Sequence, residues 1–218
     1  MACTMEGVAT MPAPKPIVFV VDDDVSVRES LEALIQFAGW ETRTFDCAKA
    51  FVPTPQVQQP NCLVLDVNLP DLSGLDLQAM VAREHAEMPI IFISGYGDVP
   101  KAVRAMKAGA LEFLTKPFDG DVVLNAIRAA LERSRIVIEE RTNFQAIRER
   151  YALLSKRERE VMALVVSGLL NKQVGGKLGI SEITVKAHRG RVMDKMQAQS
   201  LAHLVSIGAR LGLAPPHG

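Results

Sequence analysis

The sequence predicts a doubly wound α/β domain on a five-stranded parallel sheet, followed by a small all-α domain of helix-turn-helix type. Three observations carry this expectation. From Ile17 to about residue 120, short apolar runs ending in an acidic or small residue alternate with amphipathic segments, the pattern of βα repeats around a parallel sheet. After Tyr151 the strand-like runs stop and only helix-period segments follow. The charge divides along the same line. The 218-residue chain carries 25 Lys+Arg and 25 Asp+Glu, but residues 1–120 hold 9 against 16, a sum of −7, and residues 121–218 hold 16 against 9, a sum of +7. Opposite charge on the two halves points to two domains with different partners. The expected limits are a disordered leader over 1–16, an α/β domain over 17–133, a helical linker over 134–151 and a helix-turn-helix domain over 152–218.

The leader contains Pro12, Pro14 and Pro16 and has no apolar stretch behind a basic start, so it does not read as a signal peptide. IVFVV (17–21) is the first strand, and a helix from Val25 to Ala38 follows, ended by Gly39. A weaker strand lies near Glu41–Phe45. A short helix near Ala48–Val52 should be stopped by Pro53 and Pro55, with Pro60 extending the loop. CLVLD (62–66) is the third strand, with a helix near Leu75–Glu84; PIIFIS (89–94) is the fourth, with a helix near Pro100–Lys107 ended by Gly109. EFLT (112–115) completes the sheet. A long helix then starts near Asp121 and runs to about Arg150, with Leu124, Ile127, Leu131, Ser134 and Ile138 on one stripe. That stripe fits a solvated spacer and a dimer seam equally, because Arg141 breaks the apolar pattern.

In the second half, Ser155-Lys156-Arg157-Glu158 is a capping box that opens a helix through Val161, Leu164 and Val165 to Gly168. Asn171 is expected to cap a second helix through Leu178, Gly179-Ile180 to make a tight turn, and Ser181 to cap a third helix from Glu182 to about Met196. A fourth runs from Ser200 to about Leu211. Two helices joined by a glycine turn form the DNA-binding supersecondary pattern. Val185, His188, Val192 and Met196 share the core stripe of the third helix; Glu182, Lys186, Arg189 and Gly190 face away from it. His188 reads as a packed core histidine, because no cysteine or second histidine stands at metal-ligand spacing. From residue 152 onward there are 10 Lys+Arg and 4 Asp+Glu, the excess expected of a surface that neutralises phosphates. Gly175-Gly176 interrupts the second helix, either for close packing or as a plain loss of stability.

Composition narrows the function. Apolar runs such as Ile17–Val21 and Ile90–Ile93 are far below the ~18–20 residues that a bilayer span needs, so no membrane role is expected. Three cysteines, Cys3, Cys47 and Cys62, are too few and too scattered for a disulfide framework or a zinc site, and a cytoplasmic setting follows. The chemistry gathers on one sheet edge. In a sheet ordered 2-1-3-4-5, Asp22 and Asp23 after the first strand and Asp66 ending the third share the crevice at the carboxyl ends. Crowded carboxylates with only oxygen donors suit Mg²⁺. Ser94 ends the fourth strand and Lys116 follows the fifth. Carboxylate, metal, ammonium and hydroxyl together suit an anionic phosphoryl group.

VVDDD, LVLDVNLPDLSG, ISGYGD and AGALEFLTKPF resemble the receiver domain of two-component response regulators, a flavodoxin-like fold, over about residues 17–135. The resemblance implies that Asp66 accepts a phosphoryl group from a histidine kinase, and that Asp22 and Asp23, with Asp66 and the backbone carbonyl of Asn68, hold Mg²⁺. It further implies that Ser94 senses the phosphate, that Lys116 is the pocket lysine, that Phe113 is the aromatic switch and that the Lys116–Pro117 peptide is cis. LSKREREVMALVVSGLLNKQVGGKLGISEITVKAHRGRVMDKM resembles the LuxR-type helix-turn-helix, and the whole chain the FixJ-like branch of NarL-type regulators. Inside such a recognition helix, Lys186 and Arg189 are candidates for base contacts; Thr184, Arg191 and Lys172 are candidates for phosphate contacts on double-stranded DNA.

The expected function is therefore a phosphorylation-controlled transcriptional regulator rather than an enzyme. It binds a two-fold DNA site as a homodimer once phosphorylated, and by resemblance it activates transcription with RNA polymerase. The pairing face would be formed by the helix near Pro100–Lys107, the strand 112–115 and the helix from Asp121. The alternative is a Mg²⁺-dependent phosphohydrolase with an aspartyl-phosphate intermediate; such an enzyme needs an acid two residues beyond its nucleophile, where this chain has Asn68. A ligand-gated LuxR-type regulator would need an apolar cavity in place of the acidic pocket. A constitutive dimer that ignores phosphate would not need Asp22, Asp23, Asp66, Ser94 and Lys116 together.

Overall fold

The computed structural model describes residues 15–51, 59–85, 87–95 and 99–213. The expected leader up to residue 14, Pro53, Pro55 and part of the ISGYGD segment lie outside the described residues. The chain divides into two compact units, Met1–Glu139 and Glu140–Gly218.

The first unit is a five-stranded parallel sheet in the order β2-β1-β3-β4-β5, with β1 at Ile17–Val21, β2 at Glu41–Phe45, β3 at Asn61–Asp66, β4 at Ile90–Ser94 and β5 at Glu112–Thr115. All sixteen residues of β1, β3 and β4 are buried, which is why these strands read as unbroken apolar runs rather than alternating ones. Alternate residues supply two cores. Phe19, Leu63, Leu65 and Phe92 pack on one face; Val18, Val20, Val64, Ile91 and Ile93 pack on the other. Helices α1 (Val25–Phe37), α2 (Gly74–Glu84), α3 (Val99–Lys107) and α4 (Gly120–Ala152) connect or follow the strands. Pro89 lies outside β4 because it has no N–H to donate to the ladder, although its carbonyl still accepts from the Leu63 amide at 2.9 Å.

The expected helix over Ala48–Val52 is instead one 3-10 turn, Ala48–Ala50, after which Phe51 is extended. The reason lies in tertiary contacts as well as the prolines. Phe51 turns inward to meet Phe19 edge-on with ring centroids 5.6 Å apart, which takes the chain out of the helical path, while the Asp71 carboxylate caps the start of the turn, accepting from the Ala48 and Lys49 amides at 3.1 and 2.9 Å.

Helix α4 is 33 residues long, about 50 Å at 1.5 Å per residue. Ile127, Leu131 and Ser134 of the expected stripe are buried, whereas Leu124 and Ile138 are only half-buried. Val123 and Ala130 join the core beside them. The Ser134 hydroxyl accepts from the amide of Asn61 at 3.1 Å, satisfying the first N–H of β3 in a buried setting.

The second unit packs the end of α4 with α5 (Lys156–Val166), α6 (Asn171–Leu178), α7 (Glu182–Lys195) and α8 (Leu201–Arg210) around Val161, Met162, Val174, Val185, Val192, Met196 and Leu204. The capping box at Ser155 forms as expected. Its Glu158 is 3% exposed and also accepts from Lys195 Nζ at 2.7 Å, tying the start of α5 to the end of α7. That hydrogen bond, aided by the Ser155 amide, holds the Glu158 carboxyl down to about 2.

Asn171 does not cap α6. Leu170 occupies that position and its amide donates to Gln173 Oε1 at 2.8 Å, which leaves the Asn171 side chain to accept from Arg189 Nη1 at 3.3 Å. The two glycines of α6 part company. A Cβ at Gly175 would lie 2.7 Å from the Ile180 carbonyl oxygen, while one at Gly176 would meet nothing within 4 Å. Only the first is demanded by close packing.

Candidate functional site

Sheet register builds the pocket. Val21 pairs with Leu65, so the residues that follow, Asp22 and Asp66, stand level at adjacent strand ends. Ser94 ends β4 and pairs with Thr115, which puts Lys116 beside them from β5. Asp22 and Ser94 are fully buried and Asp66 is 5% exposed, while Asp23 is exposed. Carboxylate oxygens of Asp22, Asp23 and Asp66 all lie within 4.8 Å of one another. Asp24 turns away to cap α1, accepting from the Ser26 amide at 2.8 Å.

Lys116 joins the two buried acids. Its Nζ donates to Asp22 Oδ2 at 2.6 Å and stands 3.4 Å from Asp66 Oδ1. Burial and the neighbouring Asp22 charge push the Asp66 carboxyl above its ordinary value, against the opposing pull of Lys116 and the Asn68 amide. Burial alone would lower Lys116, but the hydrogen bond to Asp22 and the two carboxylate charges outweigh it and hold the ammonium above its usual range. The Lys116–Pro117 peptide is cis, and the Lys116 amide donates to the Ser94 carbonyl at 2.7 Å. Phe113 is half-buried and stacks on Phe92 with centroids 6.2 Å apart.

Three contributors escaped the sequence reading. A Cβ at Gly74 would collide with the carbonyl oxygen of Asp66, so only glycine lets α2 approach the end of β3 this closely. Arg28 Nη1 donates to the Asp22 carbonyl at 2.6 Å, and Lys101 Nζ donates to Asn68 Oδ1 at 2.6 Å. None has a local sequence signal, because each contact joins separate elements. Asn68 itself donates its amide to Asp66 Oδ2 at 3.2 Å.

A second surface lies on α7. Val185, Val192 and Met196 are fully buried and His188 is half-buried. Lys186 is exposed and pairs with Glu182 one turn earlier at 3.3 Å. Arg189 is half-buried at the edge of the core stripe and tethered to Asn171, so it does not point freely away as the helical pattern suggests. Thr184, Arg191 and Lys172 are exposed, with Thr184 Oγ1 2.8 Å from the Ser181 hydroxyl that caps the helix.

Residues 18–128 match the response regulator receiver domain, and residues 152–207 match the luxR family of bacterial regulatory proteins. The chain thus belongs to the response regulators that join a receiver domain to a LuxR-type DNA-binding domain. Within that class it is similar to the FixJ-type regulators. It is 42% identical to the transcriptional regulatory protein FixJ of Azorhizobium caulinodans, over 94% of this chain and 97% of that protein. It is 47% identical to nodulation protein W of Bradyrhizobium diazoefficiens, over 97% of this chain and 93% of that protein. Among solved structures it resembles the response regulator StyR, with a TM-score of 0.81 at 45% identity over 90% of this chain and all of that one. No helix among the described residues is long and apolar enough to cross a membrane.

Proposed function

We propose that this chain is a cytoplasmic transcriptional activator switched by phosphoryl transfer from a histidine kinase to Asp66, with the receiver over 17–133, a linker over 134–151 and the DNA-binding domain over 152–218. The observation that carries the reading is the Asp22–Lys116–Asp66 arrangement, in which two buried carboxylates share one ammonium. Asp66 is the nucleophile. Its carboxylate attacks phosphorus as the P–N bond of the kinase phosphohistidine breaks, and an ionised carboxylate needs no general base. Lys116 supplies fixed positive charge to the incoming phosphoryl oxygens, and the Ser94 hydroxyl donates to one of them.

The donor set fits Mg²⁺. It is all oxygen, it gathers three carboxylates within 4.8 Å, and burial has already raised Asp66, a state that a cation relieves. Asp22, Asp23 and Asp66 would hold the ion, with the Asn68 carbonyl as a further ligand. When bound, it neutralises the developing charge on the transferred group.

Phosphorylation then favours pairing through α3, β5 and α4, with Phe113 and Ser94 linking the pocket to that face. The exposed Val99, Val103 and Met106 on α3 give the face apolar surface to bury in a homodimer. Two linked modules bind a two-fold site with higher apparent affinity than one. On double-stranded DNA, Lys186 reaches toward bases, Arg189 does so on exchanging its Asn171 partner for the DNA, and Lys172, Thr184 and Arg191 reach toward phosphates, placing the dimer where it meets RNA polymerase. The phosphohydrolase alternative is disfavoured by Asn68, which supplies no acid two residues beyond Asp66.

To test this, the protein is treated with a small-molecule phosphodonor and Mg²⁺ and followed by intact mass and DNA binding. Wild type should gain one phosphoryl group and bind DNA more tightly, and Asp66→Asn should do neither. Identical behaviour of the two sinks the proposal, and sustained Asp66-dependent turnover of a phosphatase substrate favours the enzyme.

A further inference from the structure

Ile183 is 79% exposed, an aliphatic side chain standing in solvent at the first turn of α7. Single exposed apolar residues are ordinary on protein surfaces. The position of this one is not. At 100° per residue Ile183 points opposite Val192, the fully buried centre of the core stripe, and shares its face with Lys186, Ala187 and Gly190, all exposed. The outward face is thus centred on Ile183, with Lys186 at one side, whereas Arg189 lies near the core edge and is held by Asn171. Ala187 and Gly190 add little bulk, so nothing beside Ile183 on this face keeps the aliphatic group from a groove floor.

We infer that Ile183 is a specificity-determining residue that reads the 5-methyl group of a thymine in each half of the DNA site. The inference rests on the DNA-binding reading above and gives it a base preference. Of the groups exposed in the major groove, the thymine methyl is the one that projects as an apolar knob, and an aliphatic side chain gains by covering it. An aliphatic group placed against a cytosine amino group or a guanine carbonyl strips water from a polar edge and returns no hydrogen bond. Three residues along the same face, the Lys186 ammonium is a donor suited to guanine N7 and O6, so the half-site pairs a required thymine with a nearby guanine.

The test uses the full chain and the tightest site that it selects from a random DNA pool. Each thymine is replaced in turn by deoxyuridine, which keeps every hydrogen bond and removes only the methyl. Wild type should lose about fourfold in affinity at one thymine per half-site, the worth of one buried methylene-sized group. Ile183→Ala should bind the thymine site more weakly and lose the difference between thymine and deoxyuridine at that position. Ile183→Val should retain most of it. Because the side chain is exposed, helix content and melting temperature should match wild type in both variants. Equal affinity of wild type for every deoxyuridine site overturns the inference, as does an unchanged deoxyuridine penalty in Ile183→Ala. A wild-type chain that enriches no sequence overturns the DNA-binding reading as well.

Discussion

At the scale of single residues, the two glycines of α6 make opposite predictions although they are neighbours. Gly176→Ala removes a helix-interior glycine with open space around it, and should raise stability by up to about 1 kcal/mol. Gly175→Ala makes the same gain in propensity but drives a methyl against the Ile180 carbonyl, and should cost about 1–3 kcal/mol net as the turn before α7 shifts. Urea unfolding of the two variants distinguishes them, and equal midpoints would mean that α6 and the turn before α7 part freely enough to admit the methyl. Asp66 gives a second case. Its carboxyl is raised by burial, so the ionised form opposes folding. Without Mg²⁺, Asp66→Asn should therefore melt at a higher temperature than wild type near neutral pH, with the difference shrinking as pH falls through the raised value and gone below its ordinary 3.8. A melting temperature lowered by the substitution would show that the Lys116 contact outweighs the burial.

Elements were legible in the sequence wherever burial is two-sided or a cap is local. The three central strands announce themselves as apolar runs because both faces are covered, and the Ser155 box forms because all its partners lie within four residues. Legibility fails where a distant group decides. The packing of Phe51 on Phe19 takes the chain out of the turn at Ala48 before a helix can form, and Gln173 takes the Leu170 amide, so that Asn171 turns to Arg189 instead. The pocket was read from strand ends, but Gly74, Arg28 and Lys101 were not, since their contacts cross between elements. The α5–α7 junction carries its own prediction. Glu158 is depressed to about 2 from an ordinary 4.5, so the stability that it lends is fully present above about 4.5 and is lost as pH falls toward 2. Circular dichroism of thermal unfolding across that window should show the transition of the helical unit weakening, and Glu158→Gln should flatten that dependence. A variant that keeps the wild-type slope would place the acid sensitivity elsewhere.

At the scale of the whole molecule, a net charge of zero conceals two working surfaces. The 10 cations against 4 acids from residue 152 onward make DNA affinity a function of salt. Replacing Lys172 by Ala should weaken binding by a similar factor on every sequence and reduce the slope of log affinity against log salt by about one. Anisotropy titrations at several salt concentrations measure this, and an unchanged slope would remove Lys172 from the phosphate contacts. The bond from Ser134 to Asn61 sets where the receiver can be cut free. The family match ends at residue 128, yet Ala130, Leu131 and Ser134 are still buried against the sheet, and Ser134 holds the amide at the foot of the strand whose top carries Asp66. A fragment ending at 128 loses the hydrogen bond to that amide, at about 0.5–1.5 kcal/mol, and bares the core surface that Ala130 and Leu131 cover. Excised receivers ending at 128 should therefore melt well below those ending at 139, and measuring both shows how far the signalling fold extends past the limit suggested by resemblance alone.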